Sequence, residues 1–412
     1  MESFTEFLAA QRLRAGPLAP HLDALAAVLT QRGYAAKTAK EQVRLVAHLG
    51  RWLGHRQLRA ADLDESGIAD FLRCRRRSGR AGRSNRATLR AAVEVLRSAG
   101  VVRPAAPAAG VDEICRIERA FDEYLVRERG LAPASRANYL PAVRRLLSRR
   151  FGNGSVRLDQ LRPEDVRLCV VRAARVVSPG RMKLIVTALR TFLRWLRMRG
   201  DTVTDLAGCV PSVPDWRLTT LPKSIAPEQV DRLLRHCDRR TVVGKRDYAI
   251  LLLLARLGLR AGEVVAMELD DLDWDAGEVV IRGKGGRHAR LPLPRDTGAA
   301  IASYLRDGRP RCSTRRLFVR ARAPLRGFAN SIAICTIVER ALTRAGLDPP
   351  RKGAHLLRHT LACTMLRRGA SLAEIGDVLR HRSPDTTAIY AKVDVAALRM
   401  LAPVWPRSAG DA

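Results

Sequence analysis

From Tyr248 to Leu293 the sequence reads YAILLLLARLGLRAGEVVAMELDDLDWDAGEVVIRGKGGRHARLPL. Its opening, with Arg246 and Asp247 ahead of it, is apolar on nearly every face as far as Leu257. That predicts a helix, Arg246 to Leu257, placed inside a core rather than on a surface. Past Gly258 the period changes. Glu278 to Arg282 and His288 to Leu293 are short alternating runs, the pattern of half-buried strands. Gly283-Lys284-Gly285-Gly286 joins them as a hairpin turn, and Asp275-Ala276-Gly277 turns the chain before the first strand. The rest of this region is helical in pattern: Pro227 to Cys237 upstream, then Thr297 to Arg306, Ala329 to Ala345, Leu356 to Gly369, Leu372 to Leu379 and a short tail from Val395 to Leu401. The fold class is therefore mainly α, with a small antiparallel β-sheet in a C-terminal domain.

Two stretches without apolar periodicity, Val102 to Gly110 and Val210 to Leu221, read as connections between domains. They divide the 412 residues into 1–101, 112–205 and 220–405, each long enough for its own core. The first two segments look related. Leu89, Val93, Leu96, Arg97 and Gly100 match Leu189, Leu193, Leu196, Arg197 and Gly200 at a constant offset, and Leu63 and Ile68 match Leu161 and Val166. Gly33 and Thr38 resemble Gly130 and Ser135. Each segment reads as a bundle of about four helices ending at a glycine. Any two helical bundles share some leucine spacing, so a duplicated module and a coincidence both fit.

Charge narrows the function. Lys and Arg number 74 against 41 Asp and Glu, a formal net charge of +33. A coding bias toward arginine accounts for Arg over Lys but not for the missing acids, so a polyanionic partner is expected, nucleic acid first. The eight cysteines are widely spaced with no C-x-x-C pair, and read as buried small hydrophobes in a reducing compartment rather than as zinc or disulfide sites. The first twelve residues carry acids and no apolar run, against a signal peptide. Ala249 to Ala255 is too short to span a bilayer. A cytoplasmic protein that associates with nucleic acid and has no membrane partner is the expectation.

The chemistry-bearing residues concentrate late in the sequence. His355, Arg358, His381 and Tyr390 lie within 36 residues, preceded by Arg260 and Lys284. This is a set of cations and proton donors around one phenol, without a carboxylate cluster to hold a metal. It suits phosphoryl transfer on a polyanion. Attack on a phosphodiester loads negative charge on the non-bridging oxygens, which arginine forks meet two at a time. A phenol has an ordinary pKa near 10, so Tyr390 needs neighbouring cations or a histidine to become a nucleophile. Lys284, at a glycine-flanked hairpin tip in a lysine-poor chain, can protonate a leaving oxygen or can simply solubilise a turn. His355 and Arg358, three apart, share a helix face; His359 is expected to point elsewhere, packing or capping. Ser383-Pro384-Asp385 should start the helix that carries Tyr390. Singly, each of these residues has an ordinary structural reading.

Together, Leu257-Gly258-Leu259-Arg260 to Glu263, Gly283-Lys284-Gly285, His355-Leu356-Leu357-Arg358-His359-Thr360 and His381 to Tyr390-Ala391-Lys392 resemble the tyrosine recombinase (phage integrase) family in order and spacing. The segment 112–205 is similar to that family's helical core-binding domain, of SAM-like type. The resemblance implies that Tyr390 attacks the scissile phosphate to leave a 3′-phosphotyrosyl link, with Lys284 as general acid for the 5′ oxygen. Arg260, Arg358 and His381 would stabilise the transition state, His355 would assist proton transfer to and from Tyr390, and Glu263 would orient the site from behind. It implies double-stranded DNA as partner, a homo-tetramer on DNA, alone or mixed with related recombinases, and no cofactor. Arg380 stands where the family usually has glycine, and with Arg282 and Arg287 is a candidate DNA contact. Residues 1–101 precede the usual core-binding domain, and the tail after Tyr390 can dock on its own domain or on a neighbouring protomer.

The leading reading is an active site-specific recombinase of a mobile element. A catalytically silent DNA-binding accessory protein is the alternative, disfavoured by the complete catalytic set. A relaxing enzyme of type IB topoisomerase kind shares the chemistry but is disfavoured by the two stacked helical modules.

Overall fold

The computed structural model describes residues 15–78, 85–102, 113–152, 154–214, 221–283, 288–393 and 399. The protein divides into two compact units, one of residues 103–217 and one joining 1–102 to 218–412.

The first bundle holds α1 (Leu22–Gln31), α2 (Ala36–His55), α3 (Glu65–Arg77) and α4 (Asn85–Ser98). Val43, Val46, Leu49 and Leu53 of α2 recur at helical spacing and are buried with Leu25 and Leu29 of α1 and Leu89, Val93 and Leu96 of α4. Asp64 caps α3, its carboxylate accepting from the Gly67 amide at 2.7 Å. The second bundle holds α5 (Glu113–Arg127), α6 (Pro133–Phe151), α7 (Pro163–Ala174) and α8 (Pro179–Met198). Its core centres on Phe121, with ring centroids 5.1 Å from Phe192 and 5.3 Å from Trp195. The sequence pairs between the bundles occupy equivalent environments. Leu89 and Leu189, Leu96 and Leu196, and Ile68 and Val166 are all buried. Gly33 with Gly130, and Gly100 with Gly200, all take positive φ where a helix ends.

The third core belongs to the remaining residues. It is built on α9 (Pro227–Arg235), α10 (Val242–Arg256), the short α11 (Ala261–Ala266), α12 (Arg295–Asp307), α13 (Ile332–Arg344) and α14 (Ala354–Arg367). Every residue of α10 from Ala249 to Leu254 is at most 1% exposed, which explains its unbroken apolar run. The sheet is antiparallel, in the order β1 (Leu272–Asp273), β2 (Glu278–Arg282), β3 (His288–Pro292). Val279 pairs with Leu291 and Ile281 with Ala289; Val279 and Ile281 face the core and are buried.

Two elements escape the sequence pattern. β1 is two residues long, too short to show alternation, and α11 spans less than two turns. After α14 come α15 (Leu372–Val378), α16 (Pro384–Thr387) and a 3₁₀ turn, Ala388–Val393. The expected tail helix from Val395 to Leu401 lies outside the described residues, apart from Arg399. Of the eight cysteines, all free, Cys169, Cys237 and Cys363 are buried, whereas Cys74 and Cys209 are exposed; the reading of all eight as core residues fails where a cysteine falls on an outward helix face or in a loop. Among the described residues no helix is long and apolar enough to cross a membrane.

Candidate active site

Three turns and one helix bring the site together. The first turn follows α10: Gly258 at φ +57° reverses the chain, and Arg260 becomes the N-cap of α11. Glu263, three residues on, accepts from the Arg260 amide at 2.8 Å and from its guanidinium at 2.7 Å. The carboxylate is buried. Burial alone would raise its pKa, but the Arg260 hydrogen bonds and the charges of Arg380 and Arg260 outweigh it and hold Glu263 below the ordinary value.

Helix α14 carries the second set. Arg358, 4% exposed, reaches back with one terminal nitrogen to the Gly258 carbonyl and with the other to the Leu379 carbonyl. It thereby ties the α10–α11 turn to the turn after α15. Burial, then the charges of Arg260 and Arg380, pulls its pKa down to about 10, so it remains a cation at neutral pH. Two of its five N–H donors are engaged on those carbonyls. His355 opens the same helix on an exposed face. Packing against the rest of its ring, with the Arg358 and Arg260 charges, lowers its pKa.

The second turn, after α15, carries Arg380 and His381. Arg380 sits at φ +55°, a left-handed conformation that suits glycine and strains other side chains. Its side chain turns inward rather than toward solvent: one terminal nitrogen meets Glu263 at 3.1 Å and the other the Val378 carbonyl at 3.0 Å. Its own carbonyl accepts from Arg260 at 3.3 Å. Arg380, suggested by sequence as a DNA contact, is in this structure a half-buried partner of Glu263. Arg282 is likewise paired, with Glu268 at 2.9 Å and Asp271 at 2.8 Å. Lys284 and Arg287 lie outside the described residues.

Tyr390, on the 3₁₀ turn, is 1% exposed. Burial pushes its pKa up to about 12, with Arg358 opposing. The ring of His381 lies parallel to it, 3° between planes and 6.4 Å between centroids, while His381 Nδ1 is held by Thr387 Oγ1 at 2.7 Å. Burial, followed by the charges of Arg358 and Arg260, lowers His381 to about 4.

The residue misjudged from sequence is His359. Instead of pointing away, it places Nδ1 2.8 Å from the Tyr390 hydroxyl. The signal was present: at about 100° per residue, four steps along a helix return to within about 40° of the start, closer than the about 60° of three steps. His359 thus shares the face of His355 more closely than Arg358 does, and their rings lie 6.3 Å apart. Burial, then the charges of His355 and Arg358, depresses His359 to about 4. A cavity of about 460 Å³ opens beside the two histidines, lined also by Lys223, Arg351 and Lys352. Among the described residues no group of three or more His, Cys, Asp or Glu side chains is placed to hold a metal.

The comparisons with known proteins fall on these same elements. Residues 223–396 match the model of the phage integrase family, and 119–200 match the phage integrase N-terminal SAM-like domain. Such a pairing of a helical SAM-like module with an integrase domain defines a class of recombinases. The chain is 44% identical over 398 residues to the putative integrase/recombinase y4rA of Sinorhizobium fredii, covering 96% of each. It is 31% identical over 302 residues to the tyrosine recombinase XerD of Mycobacterium tuberculosis, covering 68% of this chain and 94% of that one. In fold it is similar to the XerH site-specific recombinase in a post-cleavage complex with difH substrate (TM-score 0.53, 18% identity, 88% of this chain and 96% of that one). It also resembles a lambda integrase(75–356) dimer bound to a COC′ core site (TM-score 0.51, 15% identity, 72% and 99%). The chain belongs to the tyrosine recombinase (phage integrase) family.

Proposed function

We propose that this protein is a site-specific DNA recombinase of a mobile element, which cuts and rejoins DNA through a phosphotyrosine at Tyr390. The observation that carries the reading is a single phenol set against His359 and His381, beside two arginines anchored on backbone carbonyls and a carboxylate. The relatives' names, recombinases and integrases, point the same way, as do the titles of the DNA-bound neighbours.

In this mechanism Arg358 and Arg260 grip the non-bridging oxygens of the scissile phosphate. Tyr390 passes its phenol proton to a neighbouring histidine as Oη bonds to phosphorus, the bond to the 5′ oxygen breaks, and Lys284 protonates the departing oxygen. His381 meets the charge that develops on the phosphoryl oxygens. The energy of the broken phosphodiester is retained in the 3′-phosphotyrosyl link, so a 5′ hydroxyl from a second strand can reverse the reaction. Exchange in both strand pairs calls for four protomers, a homo-tetramer on double-stranded DNA acting in the bacterial cytoplasm. The domains 112–205 and 220–405 would each contact the duplex. Lys223, Arg351 and Lys352, which line the cavity by His355 and His359, suit the phosphates that flank the cut. The charge of +33 implies binding that weakens steeply with salt, by a log–log slope of about −0.9 for each phosphate contacted.

A pre-nicked suicide duplex carrying the DNA that flanks the gene tests this. Incubated in EDTA and run on denaturing gels, wild-type protein should give a covalent protein–DNA band. Tyr390→Phe should bind equally and give none. Sequence-specific binding by wild type without a covalent band would replace the proposal with a silent accessory role.

A further inference from the structure

The family resemblance implies proton transfer at the nucleophile by His355. The geometry does not join those two residues: among the described residues no hydrogen bond links His355 to Tyr390, whereas His359 Nδ1 lies 2.8 Å from Tyr390 Oη. The two rings meet at 60°, with centroids 5.7 Å apart. His355 stands one helical turn earlier, on the exposed side, and lines the same cavity as His359.

We infer that His359 is the general base for Tyr390, its Nδ1 taking the phenol proton as Oη bonds to phosphorus. This rests on the reading of Tyr390 as nucleophile. The step balances within the groups already named. The Oη–H bond breaks and Nδ1–H forms; Oη–P forms and P–O5′ breaks; the 5′ oxygen takes a proton from the general acid. Rejoining runs the same transfers backward, with His359 returning its proton to the departing phenol.

The surroundings suit the role. Burial and the neighbouring His355 and Arg358 charges keep the ring neutral at pH 7, so that Nδ1 can offer a lone pair with the other nitrogen carrying the hydrogen. Tyr390 meanwhile keeps its proton. The resting pair is therefore a phenol donating to an imidazole, with no free phenolate. As the bond to phosphorus develops, the phenol oxygen becomes far more acidic, and the proton crosses during attack rather than before it. The nucleophile stays silent until a phosphate is in place.

Single-turnover cleavage of the nicked duplex, on a sequence that the wild-type protein protects from nuclease, decides the matter. His359→Asn can offer an amide where Nδ1 stood but cannot take a proton, and should slow cleavage by about 10²-fold or more while DNA binding is unchanged. His359→Ala should be equally slow and regain at least about tenfold with added imidazole, a rescue that a merely structural role would not give. A duplex with sulfur as the 5′ bridging atom, which departs without a proton, should restore Lys284→Ala and leave His359→Asn slow. His359→Asn within about threefold of wild type, or restored to the wild-type rate by the sulfur substrate, would overturn the assignment. Failure of the phosphotyrosine reading itself looks different: no covalent band from wild type on the protected site.

Discussion

The site has two halves that use the same arginines in opposite ways. In one, Arg260, Arg358 and Arg380 are fixed by Glu263 and by the carbonyls of Gly258, Val378, Leu379 and Arg380. In the other, burial, helped by those positive charges, keeps His359 and His381 unprotonated, and burial keeps the proton on Tyr390 against the pull of Arg358. The difference teaches that the burial which holds the arginines in place for an anion also sets the protonation of the groups beside them, with the arginine charges adding to it at the histidines and opposing it at the phenol. Fixed donors need no reorganisation when charge develops, and neutral imidazoles can accept protons where imidazoliums cannot.

The sharpest way to break that partnership is Arg358→Ala. It removes a charge from both halves and leaves two buried carbonyls without donors. Cleavage should fall by roughly 10²–10³-fold, about 3–4 kcal/mol of barrier, and denaturant unfolding should show a further loss of about 1–3 kcal/mol for each orphaned carbonyl. Unchanged stability would mean that the carbonyls find other partners.

A second test separates the halves by pH. The folded-state pKa values of His359 and His381, about 4, lie below the ordinary 6.5. Between those values the unfolded chain binds more protons, so stability is full above about pH 6.5 and is lost as pH falls toward 4. Melting temperatures across that window should drop for wild type and drop less for His359→Asn. The carboxylate half is silent over most of that window, because Glu263, held below its ordinary value of 4.5, begins to give up its contribution only below that value. A slope identical in both proteins would show that His359 is not the titrating group.

The smallest expected effect is at Arg380. Arg380→Gly relieves a left-handed conformation that costs a non-glycine residue about 1–2 kcal/mol, and loses a hydrogen-bonded charge pair of similar worth. Stability by denaturation should stay within about 1 kcal/mol of wild type, and cleavage should fall less than tenfold because Glu263 still holds Arg260. A larger loss of cleavage would give Arg380 a direct part in binding the phosphate.

Much of this was legible in the sequence, for reasons that can be named. The apolar run of α10, the β2–β3 hairpin and the glycines ending the paired helices each follow from local periodicity or from backbone conformation. Tyr390, Arg260 and Arg358 stand out because their chemistry and spacing form a known pattern. What was not legible depends on distant parts of the molecule. His359 meets Tyr390 only because α16 and the 3₁₀ turn return across α14. Arg380 turns inward only because Glu263, more than a hundred residues earlier, waits for it. The strand β1 exists through its partner, not through its own two residues.

Gly258 has a consequence for genetics. A methyl group there would sit 2.6 Å from Leu379 and 3.0 Å from Leu361, on a backbone already at φ +57°. A Gly258→Ala allele would drive a wedge between the turn of Arg260 and the turn of His381, forcing the two apart while meeting Arg358 only at an ordinary 3.8 Å. Such an allele would behave as a conditional mutant, tolerable when cold and inactive when warm. It would let the breakage and rejoining of strands be switched off in a living cell by temperature alone.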